Sequence, residues 1–308
     1  MVEHRDIKKV DITATLACLT ALLFWSLGSI FIKYLTGYVD AWTQNFLRYL
    51  TACLFWLPFL IFSIYKNKFD KRIWRKAVGP SAANLTMQTT MTLSFYYIDP
   101  AFMVLLMKSY IVWTALFSLL FFFDEKPLAK SKHFWLGMIF SVIGVVGVIY
   151  FKADFTAERT MIGIVLALVT GFMFAVYTIS AKIVFKDVDS RQGFSVISIY
   201  TVSGLAVLAL LFGDVEKSLQ IGAWQWSCII ISAITAIALG HVLYYSAMKR
   251  IGATIPALLI LAQPFIVLAF SYVIFGESLN LFQFLSGVIL IIGSALAIWA
   301  QQHLKHPG

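Results

Sequence analysis

Charge is scarce in this chain. Asp, Glu, Lys and Arg make up 13% of its 308 residues, against roughly 25% in an ordinary soluble domain. Negative charge is scarcest inside the apolar runs: all 15 Asp and Glu lie between runs or at their ends. Cysteine is rare too. Cys18, Cys53 and Cys228 fall within apolar runs and show no disulfide or metal spacing, so they read as small core residues and no metal or cofactor is expected. A Gly-x-Ser-x-Gly elbow and a His-Glu-x-x-His pair are both missing, and His241 is the one deep histidine. An intramembrane hydrolase, the alternative class, would need such a nucleophile or zinc arrangement. The gaps between runs are short, leaving no sizeable soluble domain for a receptor or chaperone-like partner. The first run is too long for the core of a cleavable signal and no small-x-small site follows it.

What the chain has in abundance is apolar length: 60% hydrophobic residues and a mean hydropathy of +0.85. Runs at roughly 12–35, 41–64, 77–97, 101–123, 133–151, 160–184, 193–213, 223–248, 252–275 and 280–301 are each about as long as a bilayer span requires. An all-α integral membrane protein of ten transmembrane helices is expected. Of the 24 Lys and Arg, only Lys152, Arg159 and Lys217 fall in the odd-numbered gaps, and Lys33, Arg48, Lys108 and Lys182 lie inside runs. The rest occupy the even gaps and the two ends. Positive residues stay on the cytoplasmic side, so both termini are expected there, in a plasma (bacterial inner) membrane, and an even number of spans is required. The net charge of +9 is thus a matter of topology and anionic lipid rather than of nucleic acid.

The chain also repeats itself. A shift of 149 residues brings Ile30, Lys33, Val39 and Asp40 onto Ile179, Lys182, Val188 and Asp189, and Leu136, Ile143, Gly144 and Ile149 onto Leu285, Ile292, Gly293 and Ile298. With a small insertion, the Phe123-Asp124-Glu125 end of the fourth run meets Phe275-Gly276-Glu277 after the ninth. The expected units are residues 1–151 and 152–308. Each holds five spans, an odd number, so the second must enter the membrane upside down. Inverted repeats of this kind provide secondary transporters with two interchangeable gates around one midplane site.

Leu23-Phe24-Trp25-Ser26-Leu27-Gly28-Ser29 with Lys33, the stretch Asn45-Phe46-Leu47-Arg48-Tyr49, and the block from Tyr244-Tyr245-Ser246 to Ile251-Gly252-Ala253, continuing through Gln263-Pro264 to Phe275-Gly276-Glu277, resemble the EamA type of the drug/metabolite transporter superfamily. The resemblance covers essentially the whole chain. It implies a ten-helix inverted-repeat fold, transport of small metabolites, usually export, and a central cavity lined mainly by helices 1, 3, 4, 6, 8 and 9. One departure stands out. Pro264 precedes Glu277 by 13 residues, whereas the matching place in the fourth run holds Val112, preceded by Lys108-Ser109-Tyr110.

A charge in hydrocarbon needs a reason, since insertion scales put its cost at about 2.5–3.5 kcal/mol or more. Lys33 and Lys182 sit near run ends, where a lysine stem reaches the interface. Arg48 is read either as a packing or gate contact or as facing substrate. Lys108 has no acidic neighbour in sequence; it either reaches outward or points into a polar cavity, where Tyr110 and Trp113 supply an aromatic wall. Asn84, Gln88 and Thr92 form one polar stripe on the third run, able to bond a neighbouring helix or line a site. His241, with Tyr244 a turn further on, is either a packing residue or a group able to bind substrate or carry a proton. Trp25, Tyr177 and Gln263 complete the candidate substrate lining, and Pro264 with Arg48 the gating or structural set. Small multidrug exporters of the same superfamily depend on a membrane-embedded carboxylate, which this chain lacks, so cation/proton antiport is disfavoured. The expected activity is alternating-access transport, export of an amino acid or related carboxylate-bearing compound. Uptake or exchange of another small organic anion is the alternative. Besides that small molecule the partners are lipid; oligomeric state stays open, a monomer being compatible.

Overall fold

A computed structural model describes residues 11–185, 188–251 and 254–305. The described chain is helical and holds no strand. Ten helices follow in order: α1 (Ile12–Leu35), α2 (Ala41–Tyr65), α3 (Arg72–Ser94), α4 in two pieces (Pro100–Met107 and Tyr110–Phe121), α5 (Lys132–Tyr150), α6 (Glu158–Val184), α7 (Ser190–Phe212), α8 in three pieces (Ala223–Ser232, Ala233–Leu239 and Gly240–Ile251), α9 in two (Thr254–Ile260 and Gln263–Phe275) and α10 (Leu281–Lys305). Acidic or hydroxyl side chains start several of them. Asp11 accepts from Ala14 N–H, Asp40 from Trp42 and Thr43, Ser131 from Phe134, and Asp189 from Arg191. Each satisfies first-turn donors that nothing else in the helix can.

Among the described residues, nine helices are long and apolar enough to cross a membrane. The tenth, α3, is the informative one. It begins at Arg72, five residues ahead of the expected run, because Ile73 and Ala77 are buried and draw the basic first turn into the helix. Its remaining polarity is answered by neighbours. Asn84 donates to Thr201 Oγ1 on α7 at 2.9 Å and to Tyr49 OH on α2 at 3.2 Å. Thr90 meets Thr170 on α6 at 2.9 Å, and Ser94 Oγ donates to Gly163 O. A helix too polar for lipid is therefore placed where other helices, not lipid, surround its polar face.

The packing has twofold character. Helix α3 lies along α6 as α1 lies along α8, while α2 pairs with α7, α4 with α9 and α5 with α10. Exchanging each helix of the first five with its counterpart in the second returns the same set of pairs. The α5–α10 pair is the tightest seam. A Cβ on Gly144 would lie 2.5 Å from Leu290 N, and one on Gly293 2.5 Å from Ser141 N. These two glycines are related by the 149-residue shift. Their missing side chains let the two backbones touch across the seam, the usual device of lipid-embedded helix pairs.

A central cavity between two broken helices

Helix α4 is interrupted at Lys108-Ser109 and α9 at Leu261-Ala262. The backbone pattern is the same at both. Lys108 and Ser109 donate to Leu105 and Leu106, three residues back; Leu261 and Ala262 donate to Leu258 and Leu259. Each break is thus a tight local turn of helix that loosens the regular four-residue ladder. The two breaks face one another. Lys108 Nζ donates to Gln263 Oε1 at 2.8 Å, and both side chains are buried.

A third irregularity lies in α8, where Ala233–Leu239 form a π-helical segment. Such a widened turn turns carbonyls outward, and two indoles take them: Trp25 Nε1–H donates to Ala236 O and Trp56 Nε1–H to Ala238 O, both at 3.0 Å. His241 Nδ1 is 3.0 Å from Ile237 O. A carbonyl only accepts, so Nδ1 carries the proton there. The imidazole stacks on Phe194 and meets Trp25 edge-on, at 5.3 Å between centroids in each case.

These three irregular segments enclose a cavity of about 780 Å³, counting its open mouth. Polar groups at its lining come from Arg48, Gln88, Lys108, His241 and Gln263, and aromatic ones include Trp25, Tyr110 and Tyr244. No aspartate or glutamate lines it among the described residues. Arg48 is 1% exposed and Lys108 2%. Arg48 Nε donates to Ser232 Oγ at 3.0 Å, the last residue before the π segment, and its Nη1 is buried without an acceptor. Gln88 Oε1 is likewise buried and unpartnered. Two buried basic side chains thus face a cavity with no acidic side chain in its lining among the described residues.

Of the candidate lining residues, Trp25, Gln88, Lys108, Tyr110, His241, Tyr244 and Gln263 come together here, as does Arg48. Trp113 and Tyr177 do not. Trp113 is 37% exposed and packs against Phe172 and Phe117 on the outside of the bundle. Tyr177 is buried behind the lining, its hydroxyl 3.4 Å from that of Tyr245. Pro264 sits at the start of the second half of α9, where it shapes the break rather than the wall. Arg48 places α2 beside the helices 1, 3, 4, 6, 8 and 9 that the resemblance implies. Sequence reasoning missed the methionines: Met87 and Met91 on α3, and Met103 and Met107 on α4, all reach the cavity. Each pair is spaced by four, one helical turn, which is the signal that would have found them.

The face of the bundle opposite Asp11 is fastened by side chains that clasp backbone. Glu277 accepts the N–H of Ala101 and of Phe102, at 2.9 and 3.0 Å, tying the second repeat to the start of α4. Lys33 donates to Phe95 O and Ile98 O and lies 3.5 Å from Asp99, so it grips the α3–α4 link. Burial pushes the Glu277 carboxyl above its ordinary range despite those two donors. Asp40 on the same face goes the other way. Burial would raise it, but the N–H groups of Thr43, Asp214 and Trp42 outweigh that and hold it low.

Sequence and structure comparisons agree with this architecture. The model of the EamA-like transporter family matches twice, over residues 12–150 and 161–299. Those two matches are offset by the same 149 residues as the internal repeat. An uncharacterized transporter of Archaeoglobus fulgidus is 24% identical over 295 residues, covering 92% of this chain and 96% of the relative. One of Haemophilus influenzae is 25% identical over 182 residues, and the match spans 58% of this chain and 59% of that relative. A solved crystal structure superposes with a TM-score of 0.65 at 16% identity, over 92% of this chain and 96% of the other.

Proposed function

Because the chain belongs to the EamA-like transporter family, we propose that the central cavity carries a small metabolite bearing a carboxylate, an amino acid or related compound, out of the cell. The single observation that carries the substrate class is the charge of the site: Arg48 and Lys108 are buried in a cavity that no acidic side chain lines among the described residues. A desolvated cation without a counter-ion is costly, and an anionic ligand removes that cost. The mechanism is alternating access. Two inverted repeats meet at broken helices near mid-membrane, the arrangement in which one repeat rocks against the other around a fixed site. The Glu277 and Lys33 clasps hold one end in this state. The Lys and Arg distribution supports cytoplasmic termini and a plasma-membrane location.

Coupling to a proton through a deep carboxylate has no residue to use, which leaves uniport or exchange down the substrate gradient, or coupling through His241. Protein reconstituted into vesicles is expected to release trapped labelled amino acids or small organic acids, and to leave organic cations behind. Release of cations with retention of all carboxylates sinks the reading.

A further inference from the structure

The two buried cations of the cavity are not equivalent. Lys108 Nζ already donates to Gln263 Oε1 at 2.8 Å and lies 5.8 Å from the Tyr110 ring centroid. One of its three donors is engaged in joining the two half-helices. Arg48 uses only Nε, on Ser232 Oγ, and its Nη1 is buried with no acceptor. A guanidinium stays charged at any physiological pH, and its terminal nitrogens form the planar fork that fits a carboxylate with two parallel hydrogen bonds. Buried donors are almost always satisfied, so an unsatisfied one on a residue that lines a cavity points to an acceptor that arrives from there.

The apolar side of the same cavity has its own bias. Met87, Met91, Met103 and Met107 contribute to its wall, four of the nine methionines in the chain. A thioether chain is unbranched and polarisable, adapts its shape and makes favourable contacts with aromatic rings. Valine or isoleucine would fix the wall, because branching at Cβ locks the first torsion. Promiscuous apolar surfaces use methionine for this reason.

We propose that the cavity is a two-part subsite for amphipathic monocarboxylates. Arg48 takes the carboxylate on the terminal fork of its guanidinium. The methionine wall takes the apolar part, aromatic rings included, with little regard to its shape. Lys108 is a positioning residue that bridges α4 and α9. This deepens, and rests on, the anion-transport reading above.

The test is calorimetric titration of the purified full chain with 3-phenylpropanoate and with its uncharged primary amide. Wild type is expected to prefer the acid by about tenfold or more, as a paired-edge charged contact implies. Arg48→Gln should bring the two ligands to within about twofold while leaving amide affinity within about threefold. Lys108→Met should weaken both ligands alike and keep the acid preference. Since a buried arginine can matter for folding, Arg48→Lys serves as the second variant: it keeps the charge, loses the fork, and should cut the preference several-fold. For the wall, hexanoate, 3-phenylpropanoate and 2-naphthylacetate should bind wild type within about fivefold of one another, and the double variant Met91→Ile/Met107→Ile should widen that spread beyond about tenfold. Equal binding of acid and amide by wild type overturns the proposal. So does an acid preference that survives in folded Arg48→Lys but vanishes in Lys108→Met. An Arg48-dependent preference without solute movement in vesicles would keep the subsite and defeat the transport reading; solute movement indifferent to Arg48 would do the reverse.

Discussion

Helix α9 breaks at Leu261-Ala262, two residues ahead of Pro264, while α4 breaks at Lys108-Ser109 with no proline in the turns that follow. In α9 the cause is covalent. Proline has no N–H to give to Ile260 O and its ring crowds that carbonyl, so the ladder fails locally whatever surrounds it. In α4 the sequence imposes nothing comparable. There the neighbours do the work: Gln263 draws in Lys108, and the backbone docks on α6 at Gly171, where an added Cβ would lie 2.6 Å from Ser109 Oγ and 3.0 Å from Met107 O. Two symmetry-related helices thus share one hydrogen-bond pattern, one built in locally and one imposed by packing. The broken geometry, rather than any residue type, is the feature both repeats have in common.

The seat of α4 is tightest at Gly171 of α6. Gly171→Val should drive α4 off its seat, with an overpacking cost of about 1–3 kcal/mol or more and loss of vesicle transport. A native melting temperature in that variant would show that α4 is not held there. Next in size is the bridge. Lys108→Met and Gln263→Met should each lower transport more than about tenfold, and their double-mutant cycle should give a coupling of about 1.5–3 kcal/mol, as for a hydrogen bond to a charged group. Additive effects would remove the bridge from the account of α4. Pro264→Ala tests the covalent cause in α9. It restores one N–H, so amide exchange should slow at residues 261–266 while residues 108–112 keep their rate, with stability changing by about 1 kcal/mol or less.

The smallest expected effect is at the Glu277 clasp. Its folded carboxyl is raised by burial, so the folded state holds the proton more tightly than the unfolded chain does. The stability of wild type relative to Glu277→Gln should therefore be greatest below the ordinary glutamate range and fall as pH rises through the folded value. Melting curves of the two proteins across that window check the sign; a difference that grows with pH contradicts it.

How far the chain could be read depended on how local the cause was. Hydropathy located the ten helices, and the one that strayed, α3, did so because its first turn is basic yet carries buried Ile73 and Ala77. Seven of the nine candidate lining residues gather at the cavity. Trp113 does not, because it lies beyond the break in α4 and its spacing from Lys108 no longer fixes its face; Tyr177, on the unbroken α6, turns its hydroxyl to Tyr245 behind the lining. The methionines went unnoticed for the opposite reason. In a chain this apolar, four more hydrophobic positions carry no contrast until the fold points them at one space.

Residue order alone specified ten apolar spans, their alternating charge, the duplicated halves and the proline break in α9, since each follows from solvation or covalent geometry acting within a few turns of chain. Tertiary structure decided where α4 breaks, which polar side chains share a cavity, and that Lys108 bridges α4 and α9 through Gln263 while Arg48 Nη1 is buried without an acceptor. Those outcomes depend on contacts between residues more than a hundred positions apart, such as Lys108 with Gln263 and Arg48 with Ser232, and hydropathy does not encode which residues meet across that distance.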